Sequence, residues 1–323
     1  MNAHSRCAPR LIILCVSLML YAAHASLAQQ TSNQTEAPTA AATQANDDLV
    51  TMHLTIRARN GYYIKGLKAG NVSVLDGKMP QPVVSLTQED TPIDVGIIFD
   101  SSISQTNLNF IESAISRFIR NGNPSNRYFL LGFNEQAQLL SDWTQDTAAI
   151  LRPLKSLSPK KRTALFDACF LGIDKASRGL NPKRVLLLFT DGMDNVSRHT
   201  FKDLRQLLRE SDVLIYAIGI GQVWSPISSL PADGAAILDV LSDITGGFAF
   251  FPETEHDLYK AIDTISTELR CQYVLTFKPE GIKDKERWRK PRIEVKLQKG
   301  ALPGVNQAYV RTREGYYASA PRP

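Results

Sequence analysis

Ile93-Asp94-Val95-Gly96-Ile97-Ile98-Phe99-Asp100-Ser101-Ser102-Ile103-Ser104 is the stretch that decides the fold. From Ile93 to Phe99 only Asp94 and Gly96 interrupt the apolar residues, so the run has no face for water. Such a strand is covered on both sides, as central strands of parallel sheets are. It stops abruptly at one carboxylate followed by three hydroxyls. Beyond it Leu108, Ile111, Ile115, Phe118 and Ile119 recur at helical spacing.

The same succession continues downstream. Tyr128 to Phe133 reads as a second strand, and a helix runs from after Thr163 to about Arg178. The Asn181-Pro182 break then leads into Val185 to Phe189, the most hydrophobic strand of the chain. Helix Phe201–Arg209, strand Val213–Ile220, helix Ala235–Ile244, strand Phe248–Phe251 and helix Glu255–Arg270 complete it. Apolar strands alternating with amphipathic helices predict an α/β fold over residues 91–270, a doubly wound, mostly parallel, Rossmann-like sheet with helices on both faces. Gly219-Ile220-Gly221 follows a strand but lacks the third glycine of a dinucleotide loop.

Outside this stretch the pattern changes. Residues 48–90 alternate apolar and polar, as in Val50-Thr51-Met52-His53-Leu54-Thr55-Ile56, and Val72-Ser73-Val74-Leu75 runs into the turn signal Asp76-Gly77. Residues 271–323 carry Gln272–Phe277, Arg292–Leu297 and Tyr309–Arg311 separated by Pro and Gly. Each set is too small for a domain, so the two are expected to meet as one small β-module. Residues 29–47 are Gln, Thr, Ala, Asn and Ser with almost no large apolar group, and read as a disordered tether. Residues 1–28 have the parts of a secretory signal: Arg6 and Arg10, an apolar run from Leu11 to Ala23, and Ser26-Leu27-Ala28 at the cleavage position. The apolar run is short against the ~20 residues of a spanning helix, so no stable membrane span is expected once the leader is removed. The chain is then exported, to periplasm, cell surface or medium.

The 323 residues are 43% hydrophobic and 21% charged, an ordinary globular composition. The formal charge is +5, and loss of Arg6 and Arg10 leaves it near +3, which argues against a nucleic-acid partner. Cys169 and Cys271 are the only thiols after the leader, and both a disulfide and two buried free thiols fit them.

Chemistry concentrates at strand ends. Asp100-Ser101-Ser102-Ile103-Ser104 follows one central strand and Thr190-Asp191-Gly192-Met193-Asp194 another, while Arg162-Thr163-Ala164-Leu165-Phe166-Asp167 opens a helix between them. Ligands of open doubly wound sheets bind outside the carboxyl ends of the strands. The three loops offer carboxylates and hydroxyls without sulfur or imidazole, a set suited to Mg²⁺ or Mn²⁺ rather than zinc or copper. The competing reading is that Asp100, Ser102 and Thr163 cap helices and turns. Asp194 reads as an N-cap before Phe201, a plain loop carboxylate or a secondary acceptor. Lys155, Lys160, Lys161 and Arg162, and the run Lys283–Arg292 around Trp288, read as solvated loops or as surfaces for anionic partners.

These loops resemble the von Willebrand factor type A family. Asp100, Ser102 and Ser104 match its DxSxS signature, Thr163 its separate threonine, and Asp191 the aspartate of its TDG signature. The flanks, with Lys65-Gly66-Leu67-Lys68, Val72–Lys78 and Arg311–Tyr317, are similar to a bacterial group of exported type A-related proteins without an agreed function. The resemblance implies a metal-ion-dependent adhesion site: one divalent cation held directly by Ser102 and Ser104, joined by Thr163 on ligand binding, with Asp100 and Asp191 acting largely through water. It further implies a protein partner whose Asp or Glu carboxylate reaches the metal, and no catalytic residues. Two alternatives stand beside this: a structural component of a surface assembly with a non-exchanging metal, and a metal-assisted hydrolase. Against the hydrolase, no second carboxylate follows Asp100 at the DxDxT position, and there is no P-loop or GxSxG elbow.

Overall fold

The computed structural model describes residues 49–88, 90–102, 105–156, 162–221, 232–297 and 307–318. All fall in one compact unit, Ala45–Pro323. The leader and the whole of the tether lie outside the described residues. Strands β1 (Val50–Ala58), β2 (Val72–Asp76), β3 (Met79–Gln81) and β4 (Val83–Thr87) precede β5 (Asp94–Asp100). Then follow α1 (Gln105–Asn121), β6 (Arg127–Phe133), β7 (Ala137–Thr144), α2 (Thr147–Leu151), α3 (Leu165–Ser177), β8 (Arg184–Thr190), α4 (Phe201–Glu210) and β9 (Val213–Gly219). The chain closes with α5 (Ala232–Thr245), β10 (Phe248–Phe250), α6 (Glu255–Cys271), β11 (Tyr273–Phe277), β12 (Pro291–Val295) and β13 (Ala308–Arg311).

The central sheet has the order β10-β9-β8-β5-β6-β7 and is parallel except for β7. β7 has no counterpart in the periodicity. It is a partly exposed edge strand without a buried stripe, so its residues carry no clean alternation. The chain leaves β5 for β6 on one side and later returns to β8 on the other, which makes the carboxyl end of β5 the point where strand order reverses.

Alternate residues of β5 explain the two helical layers. Val95, Ile97 and Phe99 join Ile111 and Ile115 of α1 and Ile262 and Ile265 of α6 in one apolar cluster. Ile98 joins Cys169 of α3, Leu204 and Leu208 of α4 and Leu241 of α5 in the other. Gly96 belongs in this strand for a packing reason: a Cβ there would lie 2.2 Å from Cζ of the fully buried Phe129. The helices start where side chains supply acceptors. Thr200 and Asp203 form a reciprocal capping box on α4, and Thr254 accepts from Asp257 N–H on α6.

The flanking segments build two antiparallel sheets, β13-β1-β11-β4 and β12-β2-β3. β1 pairs with β11 through Val50–Leu54 and with β13 through Thr55–Ala58. Met52, Leu54 and Ile56 of β1 share an apolar cluster with Val74, Leu275, Phe277 and Tyr316. Cys169 and Cys271 are buried and free. Among the described residues no helix is long and apolar enough to cross a membrane.

Candidate metal centre

β5 ends at Asp100 and β8 at Thr190, on adjacent strands in level register, so both loops leave the sheet side by side. Asp100 is fully buried. Its Oδ1 accepts from Ser102 N–H at 2.9 Å and from Ser102 Oγ at 2.6 Å, and its Oδ2 accepts from Thr190 Oγ1 at 2.9 Å. Thr190 Oγ1 in turn accepts from Gly192 N–H at 3.2 Å. Asp191, one position on, accepts from Met193 N–H at 2.9 Å.

Two carboxylates at one strand-end crevice repel. Burial pushes the Asp100 carboxyl up to about 6, and the Asp191 charge adds to this against the hydrogen bonds from Ser102 and Thr190. Burial also raises Asp191 above its ordinary value, opposed by the Met193 N–H.

The third loop is locked to the second by a reciprocal pair. Thr163 N–H donates to Asn195 Oδ1 and Asn195 N–H donates to Thr163 O, both at 3.0 Å. Ala164 N–H donates to Asn134 O at 2.7 Å, which ties the same loop to the end of β6. Ser101 donates through both N–H and Oγ to Phe133 O at 2.8 Å, holding the first loop to β6 as well. Thr163 is buried and does not cap α3, whose N-cap position is Ala164 with no side-chain cap. Ser104 lies outside the described residues.

The residues brought together fit a hard divalent cation. The Ser102 hydroxyl commits its proton to Asp100 and keeps its lone pairs. Asp100 and Asp191 supply negative charge that burial and mutual repulsion disfavour without a counter-charge. Among the described residues no three His, Cys, Asp or Glu side chains converge, so a cation here depends on hydroxyl oxygens.

Of the alternatives for Asp194, the N-cap is corrected by the structure: Asp194 does not cap α4, where Thr200 serves. Its Oδ2 accepts from Phe166 N–H at 3.0 Å and from Ser197 Oγ, so it satisfies the exposed amide end of α3 from a distant loop. Asp167 holds the same loop through Arg198 N–H, His199 N–H and His199 Nδ1, and the His199 ring stacks on Phe170. Asn134, Asn195 and Ser197 carry no sequence signature, since no local pattern marks a loop residue that serves another loop. Of the basic run, Arg162 is exposed, and 157–161 lie outside the described residues. In the later basic run Arg289 pairs with Asp76, Lys290 with Glu314 and Arg292 with Glu294, while Trp288 packs on Tyr317.

A family model described as the von Willebrand factor type A domain matches residues 94–263. No curated protein matches the sequence. Solved structures are similar in fold. An aerotolerance-related membrane protein from Bacteroides fragilis aligns with 17% identity and TM-score 0.44, over 55% of this chain and 98% of its own. Proximal thread matrix protein 1 from the mussel byssus, with a zinc-occupied MIDAS motif, aligns with 18% identity and TM-score 0.47, over 58% and 48%. The vWF domain of the type V pili tip protein Mfa5 from Porphyromonas gingivalis aligns with 13% identity and TM-score 0.43, over 55% and 94%.

Proposed function

The chain belongs to the von Willebrand factor type A domain family, and from that premise we propose that it is an exported, metal-dependent protein-binding module. The observation that carries the proposal is Asp100: a buried carboxylate at the reversal point of the sheet, oriented by Ser102 and Thr190 and repelled by Asp191. Ser102, Thr163 and Ser104 are the hydroxyl ligands in this reading, and Asp100 and Asp191 supply charge through hydrogen bonds or water. A divalent cation held there, Mg²⁺ or Mn²⁺, would supply an electrophilic centre for an Asp or Glu carboxylate of a partner protein. The locked loops fix where that carboxylate has to arrive, and their rims select the partner. Export rests on the leader at residues 1–28. We read the site as non-catalytic: its residues are carboxylates and hydroxyls, and the Ser102 hydroxyl donates to Asp100 while His199 pairs with Asp167 of α3.

Isothermal titration of Mg²⁺, Mn²⁺ and Zn²⁺ into the chain from Gln29 onward, beside a folded Ser102→Ala variant, tests this. Saturable binding lost in the variant supports the metal site, and tightening of a Glu-bearing peptide by the metal supports the partner role. Equal binding in both proteins overturns the site. Metal binding that no carboxylate peptide senses replaces adhesion by a structural metal.

A further inference from the structure

At the opposite end of the central sheet lies a cleft of about 270 Å³ between the flanking strands and the amino ends of β8 and β9. β8 runs from Arg184 here to Thr190 at the candidate metal centre, a separation of about 20 Å. The lining includes Met52 and His53 of β1, Arg184, Asp212, Leu214 and Arg313. Its charge is unbalanced. Asp212 is engaged by Arg313 Nη1 at 2.7 Å, and Arg313 Nη2 donates to Arg209 O at 2.7 Å. The Arg184 side chain makes no hydrogen bond or ion pair with any described residue, and the Nε atoms of Arg184 and Arg313 and Nδ1 of His53 are buried without partners. Lys183, adjacent in sequence, adds a further positive field on His53.

Buried polar groups without partners destabilise a fold, and two Nε–H groups and one imidazole nitrogen of this kind belong to side chains around one cleft. An oxyanion is the group that these side chains lack. A guanidinium takes a carboxylate or a phosphate through paired N–H donors. Pro182, exposed at the rim, gives the cleft an apolar surface, which inorganic ions do not use. We propose that this cleft is a binding site for a small organic acid, its oxyanion head on Arg184 and Arg313 and its apolar body against Pro182 at the rim. The site is assembled from both flanks and the central sheet, so occupancy also fastens them together. It is independent of the metal-centre reading.

The test uses the full chain from Gln29 with ¹³C-labelled histidine, titrated with benzoate and with phenyl phosphate while the His53 resonance is followed. The expected result is saturable binding of at least one probe, a shift at His53, and affinity at least tenfold weaker in Arg184→Gln but unchanged in Ser102→Ala. Benzoate alone identifies a carboxylic acid ligand and phenyl phosphate alone a phosphate ester. Thr51→Trp, which fills the rim without touching a cation, is expected to block binding and serves if Arg184→Gln does not fold. No response at His53 to either probe, or undiminished affinity in Arg184→Gln and Thr51→Trp, overturns the proposal.

Discussion

Arg57 on β1 and Glu268 on α6, 211 positions apart, meet at 2.6 Å, with the Glu268 side chain only 1% exposed. Arg311 of β13 pairs with the same carboxylate, and Tyr216 of β9 donates to it at 2.5 Å. One buried charge thus fastens the first flank, the last flank and the central sheet. Glu268→Gln keeps the shape and removes the charge that two guanidinium groups share, and breaking a buried pair from one side costs about 3 kcal/mol or more. Urea unfolding measures this. A loss below about 1 kcal/mol would mean that the pair behaves like a surface contact.

Asp100→Asn separates stability from function. Asp100 titrates near 6 when folded, above its ordinary 3.8, so the folded state keeps a proton that the unfolded chain has lost. Stability therefore falls as pH rises from 3.8 through 6, and at pH 7 the full penalty, about 3 kcal/mol at most, is present. The amide retains acceptor geometry toward Ser102 and donates to Thr190. The variant is expected to melt higher than the metal-free parent and to lose cation binding. An unchanged or lower melting temperature would place the cost elsewhere.

Gly192 holds φ +81°, and a Cβ there would lie 2.3 Å from Gly234 O at the start of α5. Gly192→Ala combines left-handed strain with a backbone clash beside Asp191 and is expected to cost about 2 kcal/mol or more. Because Gly192 N–H also donates to Thr190, cation affinity should weaken with stability. Thermal melts and metal titrations on the same variant show whether the two move together.

His53 sets an acid limit. Burial first, and then the charges of Lys183 and Arg313, push its imidazole down to about 3. Between pH 6.5 and 3 the unfolded chain takes a proton that the folded chain refuses, so stability is lost as pH falls across that window, by about 3 kcal/mol at pH 4. His53→Leu should flatten that part of the profile. Asp94 contributes acid sensitivity of its own, since the Arg127 fork and Asn181 outweigh burial and hold it low, so some slope remains in the variant. A profile identical to the parent's would refute the role of His53.

The central sheet was legible because its strands are buried on both faces. A continuous apolar run such as Val185–Phe189 has one stable environment, and the breaks around it mark where helices begin. The hydroxyl and carboxylate loops at the ends of β5 and β8 were legible as local strings, and the level register of those strands sets Asp100 beside Thr190. Other features had no local signature. β7 is an exposed edge with no stripe. Asp194 serves α3 across an intervening strand, and Asn195 locks Thr163 by a reciprocal pair.

Sequence by itself therefore determined the alternation of strand and helix, the two-sided burial of the sheet and the loops that carry carboxylates and hydroxyls, because these follow from periodicity over a few residues. Tertiary structure alone decided that β1 lies between β11 and β13, that Glu268 gathers two arginines, and that Arg184 faces a cleft without a counter-charge. Those outcomes join residues far apart in the chain. Partner choice at that range is set by packing and desolvation of the assembled fold, for which no local pattern of residues encodes the answer.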